Sequence, residues 1–228
     1  MANEWQLRRE IVAIGKKAYE RGLVTATDGN ISVRVMGDRF LITPSGSCLG
    51  ELAPEQLVYV DFEGKTLSGG KPTGELAMHL AAYRERPDIH AVLHAHPPIT
   101  TGFTIAGESL AQCVIPEVVV IFGTIPTTEY ATISTEEGAK VIRELIRDHD
   151  ALILDRHGTI TVGKTLIDAY RKLEKVEYAA QVTLVAKQLG KVKTLSREQI
   201  QKLEAVRQKY GYQGRKSLCE ACGLCNIS

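Results

Sequence analysis

The sequence predicts one mixed α/β domain. Three observations lead there. Helical periodicities and short strand-like apolar runs are interspersed along the chain, two signals that differ in period. No linker, repeat or low-complexity segment divides residues 1–211. The length of 228 residues, 44% of them hydrophobic, is enough to bury one sizeable core or two small ones. Residues 212–228 form a separate cysteine-containing tail.

The elements follow in order. Residues 4–21 place Leu7, Ile11, Ile14 and Ala18 on one helical stripe, with Gly22 as the stop. ISVRV and RFLIT are β-branched strands joined by MGD, a hairpin signal. LVYVDF is a further strand with EGK as its turn. SGGKPTGE leads into a helix over ELAMHLAAYRER, closed by Pro87. HAVLHA, from His90, reads as a buried strand. A short helix around 100–106, a strand around 117–122 and a strand at GTIPTT come next. Ser134 with Glu137 forms a capping box for a helix reaching about Asp148. ALILDRHGTITVG reads as two apolar strands around a tight His157-Gly158 turn. A long helix spans Thr165 to Gly190, and Ser196 with Gln199 opens a last one ending at Lys209-Tyr210-Gly211.

Composition narrows the function. A net charge of +1 leaves no basic footprint, so no nucleic-acid partner is expected. No run reaches the ~20 apolar residues of a membrane span. The polar start lacks the apolar core of a signal peptide, and five cysteines are an odd number. A reducing, cytoplasmic setting is the expectation. Cys219, Cys222 and Cys225 have CxxCxxC spacing but no fourth ligand nearby, so they read as a tail rather than a closed metal site.

The chemistry centres on His94 and His96. Two residues apart on a strand, they point to one face and can aim at one ion; the alternative is two ordinary histidines at a loop edge. His157 also ends an apolar strand. Glu75 sits at a helix start, where the dipole alone favours a carboxylate. His79, a turn further on, reads as a core or interface histidine. Three histidines with a carboxylate leave an open coordination position, the pattern of catalytic rather than structural zinc. Thr27-Asp28-Gly29-Asn30 and Thr43-Pro44-Ser45-Gly46 bracket the hairpin. They offer hydroxyls, an amide and backbone N–H groups to an anion, or else are plain turns.

GNISVR, ITPSG, KPTGE, HAHP and RHGTITVG, in this order, resemble the class II aldolase/adducin family, most closely its fuculose-1-phosphate aldolase branch. The resemblance covers about residues 5 to 211. It implies a three-layer α/β/α fold with a central, mostly antiparallel sheet. It implies one Zn2+ per subunit and a homotetramer with sites between subunits. His94, His96 and His157 would bind the metal. Glu75 would be the acid/base carboxylate, able also to touch the resting metal. Thr27, Gly29, Asn30, Ser45, Gly46, Thr73 and Gly74 would surround the phosphate of a sugar-phosphate substrate, and Tyr210 matches a tyrosine that reaches a neighbouring subunit's site.

The implied reaction is reversible cleavage of a ketose 1-phosphate, L-fuculose 1-phosphate or similar, to dihydroxyacetone phosphate and an aldehyde. Two departures bear on it. Thr73-Gly74 stands where the branch often has two serines. The segment around 110–118 lacks the branch's inner tyrosine and carries Glu117, which either takes a proton-transfer role or caps a loop. Dehydratase and decarboxylase branches stay open. A 4-epimerase typically has Asp at the position of Glu75. A non-catalytic adducin-like scaffold would have no need of a three-ligand zinc site, so metal content separates it.

Overall fold

Seven strands pair into one sheet, in the order β4-β3-β2-β1-β5-β7-β6, with every neighbouring pair antiparallel. The computed structural model describes residues 3–212, so Cys219, Cys222 and Cys225 lie outside the described residues. The strands are β1 (Asn30–Arg34), β2 (Arg39–Ile42), β3 (Val58–Asp61), β4 (Thr66–Ser68), β5 (Ala91–Ala95), β6 (Ala151–Leu154) and β7 (Gly158–Gly163). The helices are α1 (Glu4–Glu20), α2 (Leu76–Glu85), α3 (Pro98–Ile105), α4 (Pro116–Phe122), α5 (Glu136–Ile146), α6 (Leu166–Leu189) and α7 (Arg197–Lys209).

The helix signals act through identifiable caps. Asn3 and Gln6 form a reciprocal capping box on α1, and Gly22, at φ +67°, lets the chain turn away after its end. Thr165 and Ser196 cap α6 and α7 through Asp168 and Gln199 N–H groups.

The sheet's two faces bury different sets of residues, because strand side chains alternate. Ile31 and Val33 of β1 and Ala91, Leu93 and Ala95 of β5 pack with α1 and the first half of α6. Ala151 and Ile153 of β6 continue that face against α3, α4 and the middle of α6. Val92 of β5 and Ile160 and Val162 of β7 pack the other way, against α2 and α5. Asn30 and Ser32 therefore point to the α2 side, as does His94, which is paired with Asn30 across β1 and β5.

Two expected strands are corrected. The run around 117–122 is helix α4. Pro116 suits its first turn, Val118, Val119 and Phe122 are buried, and Gly123 at φ +74° ends it. Burial here overrides the strand preference of the β-branched run. GTIPTT forms only a single parallel bridge, Thr127 to Ile153, where Pro126 has no N–H to extend a ladder. Strand β4, not expected from sequence, is three exposed residues without alternation and carries no hydrophobic signal.

Candidate active site

Four side chains converge where β5 ends, β7 begins and α2 begins. His94 is fully buried on the last part of β5, and its Nδ1 lies 2.8 Å from the Thr159 carbonyl. A carbonyl only accepts, so Nδ1 carries the proton and Nε2 keeps its lone pair for the site. His96 Nε2 lies 2.8 Å from His94 Nε2. Glu75 Oε2 is 2.9 Å from His94 Nε2, and Glu75 Oε1 is 3.4 Å from His157 Nε2. The four ligand atoms lie within 4.8 Å of one another. On the far side of the His96 ring, Nδ1 is 3.4 Å from an Asp28 carboxylate oxygen.

Two glycines make this approach possible. A Cβ at Gly158 would sit 2.2 Å from the Ala95 carbonyl oxygen and 3.0 Å from the His96 ring. Gly29, at φ +77°, would drive a Cβ to 2.5 Å from Val24 and 3.0 Å from the His94 carbonyl oxygen. Both motifs need glycine because histidine-bearing backbone passes directly beside them.

The electrostatics suit a cation. Burial works against ionisation of Glu75, but the charge and hydrogen bond of His94, the Asn30 amide and the charge of His157 outweigh it and hold the carboxyl well below its usual range. Burial, with the neighbouring charge of His94, pushes His96 and His157 down to about 4, although Glu75 opposes this in both and Asp28 in His96. Three imidazoles with Nε2 atoms facing one point, beside an ionised carboxylate, fit a borderline divalent ion, which would bind with release of any proton on those nitrogens. Glu75 occupies the N-cap of α2 rather than its first turn and makes no capping bond there. Its side chain is spent on the cluster, so the helix dipole is not what it serves.

The loops expected to meet an anion run side by side. Pro44 and Pro72 form an antiparallel bridge, Ser45 N–H donates to the Lys71 carbonyl at 3.0 Å, and Thr73 N–H donates to the Thr43 carbonyl at 3.2 Å. Thr43 Oγ1 accepts from Ile31 N–H, joining them to the start of β1. Thr27, Ser45 and Gly46 are exposed there, whereas Thr73 is nearly buried and accepts the Glu75 N–H. Asn30 is 5% exposed and its amide donates to Glu75 Oε2 at 3.0 Å. Gly74 has a structural reason to lack a side chain: a Cβ would lie 2.8 Å from Ser134 Oγ. Ser134, at φ +58°, belongs to a loop that walls the cavity beside Glu75 together with Thr128, Thr132 and His157.

Two expected residues are elsewhere in the chain. Glu117 is an exposed residue of α4, which covers the face of the sheet opposite Glu75. Tyr210 caps the C-terminus of α7, is 68% exposed, and borders a hollow with Asp150, Gly163 and Lys172 at the other end of β7. Neither joins the histidine cluster of its own chain. Sequence reasoning missed Ser32 and Tyr83 and left His79 as a core or interface residue. Their signal was spacing: Asn30 and Ser32 alternate on a strand, while Glu75, His79 and Tyr83 recur every fourth residue on a helix.

Comparison with known proteins agrees with this geometry. Residues 9–184 match the model of the Class II Aldolase and Adducin N-terminal domain. The chain is 36% identical over 182 residues to the L-fuculose phosphate aldolase of Methanocaldococcus jannaschii, covering 78% of this chain and 96% of that protein. It is 33% identical over 186 residues to the 3-oxo-tetronate 4-phosphate decarboxylase of Escherichia coli K12, covering 80% and 88%. It is 34% identical over 210 residues to the 5-deoxy-D-ribulose 1-phosphate aldolase of Bacillus thuringiensis serovar kurstaki, covering 90% and 97%. A solved L-fuculose 1-phosphate aldolase superposes with a TM-score of 0.83 at 30% identity, over 92% of this chain and 98% of that one.

Proposed function

The chain belongs to the class II aldolase and adducin family as a metal-dependent aldolase, and on that premise we propose that it cleaves a ketose 1-phosphate reversibly to dihydroxyacetone phosphate and an aldehyde. The observation that carries this reading is the meeting of three imidazole Nε2 atoms and one carboxylate at a single point. His94, His96 and His157 hold zinc in this reading, since an imidazole-rich set with an open position suits that ion. The chemistry such an ion supplies is polarisation of a ketone oxygen and stabilisation of the charge that develops on it.

The remaining steps belong to the protein. Thr27, Gly29, Ser45, Gly46, Thr73 and Gly74 seat the phosphate with hydroxyls and backbone N–H groups, with Asn30 at their edge. Glu75, ionised at neutral pH, takes a proton from the carbon of dihydroxyacetone phosphate in the condensation direction; in cleavage the proton released from the 4-hydroxyl as the aldehyde forms is passed on through Glu75 to the carbon left when the bond between C3 and C4 breaks. The aldehyde oxygen needs a second proton-transfer group. Tyr210 and Glu117 are exposed and away from their own cluster, so in a homotetramer either is free to serve an adjacent copy.

One observation favours a second reading. The 3-oxo-tetronate 4-phosphate decarboxylase is as similar in identity as the aldolases. Losing carbon dioxide from a 3-oxo acid also leaves charge beside a carbonyl, which the same site would stabilise. The aldolase reading is preferred because the match to the 5-deoxy-D-ribulose 1-phosphate aldolase extends over 210 residues, against 186 for the decarboxylase. The test is a panel of ketose 1-phosphates assayed for dihydroxyacetone phosphate, beside 3-oxo-tetronate 4-phosphate assayed for carbon dioxide, each with and without chelator. Chelator-sensitive dihydroxyacetone phosphate release is expected. Carbon dioxide release alone establishes the decarboxylase, and a purified protein without metal or turnover establishes a scaffold.

A further inference from the structure

We propose that His79 is a positioning residue: it locks the Asn30 amide in the one orientation that donates a hydrogen bond to Glu75. The proposal deepens the aldolase reading and rests on it for the role of Glu75. Five side chains form a continuous line. Asn30 Nδ2 lies 3.0 Å from Glu75 Oε2, and Asn30 Oδ1 faces His79 Nε2 at 2.5 Å. His79 Nδ1 lies 2.7 Å from Ser32 Oγ, and Ser32 Oγ lies 3.0 Å from the Tyr83 hydroxyl. The Tyr83 hydroxyl also donates to the Ser32 carbonyl at 2.9 Å, which anchors the line to backbone.

The direction of every bond follows from the first. An ionised carboxylate only accepts, so the nitrogen of the Asn30 amide must face Glu75. Its oxygen then faces His79 and can only accept, so Nε2 of His79 carries the proton. Nδ1 of His79 therefore accepts, and the Ser32 hydroxyl donates to it. The Tyr83 hydroxyl closes the line, its single proton shared between the Ser32 carbonyl and Ser32 Oγ. A reversed amide would press its oxygen against the Glu75 carboxylate and its N–H against the His79 N–H.

Water cannot substitute for a lost member, because Tyr83, Ser32 and His79 are 1%, 1% and 0% exposed. The line ends on the reacting carboxylate rather than in the core. Glu75 thus approaches the substrate carbon in one rotamer with one oxygen held, which proton transfer at a fixed atom requires. Outer partners of this kind typically change activity 10–100-fold when removed. The Asn30 side chain is committed to Glu75 first, and its remaining N–H is what it has left for a substrate.

The test uses the metal-loaded full chain and three variants, His79→Leu, His79→Gln and Asn30→Asp. The reaction probe is deuterium exchange into dihydroxyacetone phosphate, which needs Glu75 but no aldehyde. His79→Leu is expected to lower exchange kcat roughly 10–100-fold with KM within about twofold and metal content unchanged. His79→Gln, which keeps an amide N–H near the position of Nε2, recovers most of that loss. Asn30→Asp keeps the acceptor for His79 but replaces the donor to Glu75, and it loses kcat even though His79 is intact. Full exchange activity in a folded His79→Leu or Asn30→Asp protein overturns the proposal, and so does a loss in His79→Gln equal to that in His79→Leu. Where His79→Leu does not fold, the other two variants decide. A readout independent of any substrate is the nitrogen-15 spectrum of histidine-labelled wild-type protein. It should show His79 as the Nε2–H tautomer, and an Nδ1–H tautomer overturns the line of bonds. If wild-type protein exchanges no dihydroxyacetone phosphate, the aldolase reading fails, while the tautomer still decides the bonding direction.

Discussion

The two ends of the β5–β7 pair both bury ionisable groups, and they use them in opposite ways. They are roughly 17 Å apart, the length of β7 at its usual rise. At the Gly163 end the charges close on one another. Arg86 reaches Asp88 at 2.8 Å and Asp150 at 2.9 Å, and Lys172 reaches Asp150 and Asp168 at 2.9 Å each. Lys172 and Arg86 spend further donors on the Val162 and Ile146 carbonyls. At the Gly158 end the charges do not close. His94, His96, His157 and Glu75 aim lone pairs at one point, while their outer atoms are held by Thr159 and Asn30. A closed set of charges stabilises or specifies the fold. A set that leaves lone pairs convergent is costly unless a cation or substrate completes it, and that is the mark of a reactive site.

The largest way to sharpen this contrast is Glu75→Gln. Turnover should fall roughly 10²–10⁴-fold, the usual worth of an acid/base group, with the melting temperature and metal content retained. Steady-state kinetics beside metal analysis checks this, and near-normal turnover would remove Glu75 from proton transfer. At the other end, Asp150→Asn should do the reverse. It should cost about 2 kcal/mol in chemical denaturation with metal content intact; the value is below the 3–5 kcal/mol of a fully buried pair because the Asp150 side chain is 31% exposed. A loss of turnover without loss of stability in that variant would break the comparison.

Acid should separate the ends in the metal-stripped protein. Burial, reinforced by the charge of His94 and opposed by Glu75, pushes His79 down to about 3, and His96 and His157 are pushed down to about 4. The unfolded chain takes up these protons near pH 6.5 and the folded chain does not, so stability falls as pH drops below about 6.5 and levels off once the folded groups titrate. Each such histidine contributes a slope of about 1.4 kcal/mol per pH unit in the middle of that window. His79→Gln should reduce the slope between pH 6 and 4.5 by about one histidine's worth, and an unchanged slope would show that His79 is not buried neutral. Asp150 acts in the same direction but in a lower pH window. Burial opposes its ionisation, but Lys172 and Arg86 hold its pKa below the usual value, so its contribution is present above about pH 4 and is lost only in stronger acid. The smallest expected effect is at the anion loop. Ser45→Ala should raise KM for a phosphorylated ketose about 2–10-fold, the worth of one hydrogen bond, with kcat unchanged. A changed kcat would place Ser45 nearer the reacting atoms than its exposed loop suggests.

What the sequence determined by itself rests on short-range physics. The i, i+2 spacing of His94 and His96 put both imidazoles at one strand end, and the caps at Thr165 and Ser196 placed their helices. The balanced charge gave no reason to expect a basic binding surface, and five ordered motifs carried the family resemblance. Other features needed the third dimension. The run around 117–122 reads as a strand until its neighbours in α7 and α6 bury it as a helix. Glu75 reads as a dipole partner until β5 arrives beside it. His79 reads as core until Asn30 and Ser32, nearly fifty residues away in the chain, are seen to take both of its ring nitrogens. Local periodicity fixes which face a side chain takes, but a hydrogen-bond line between a strand and a helix depends on register and packing. Those are set only when the sheet closes over α2.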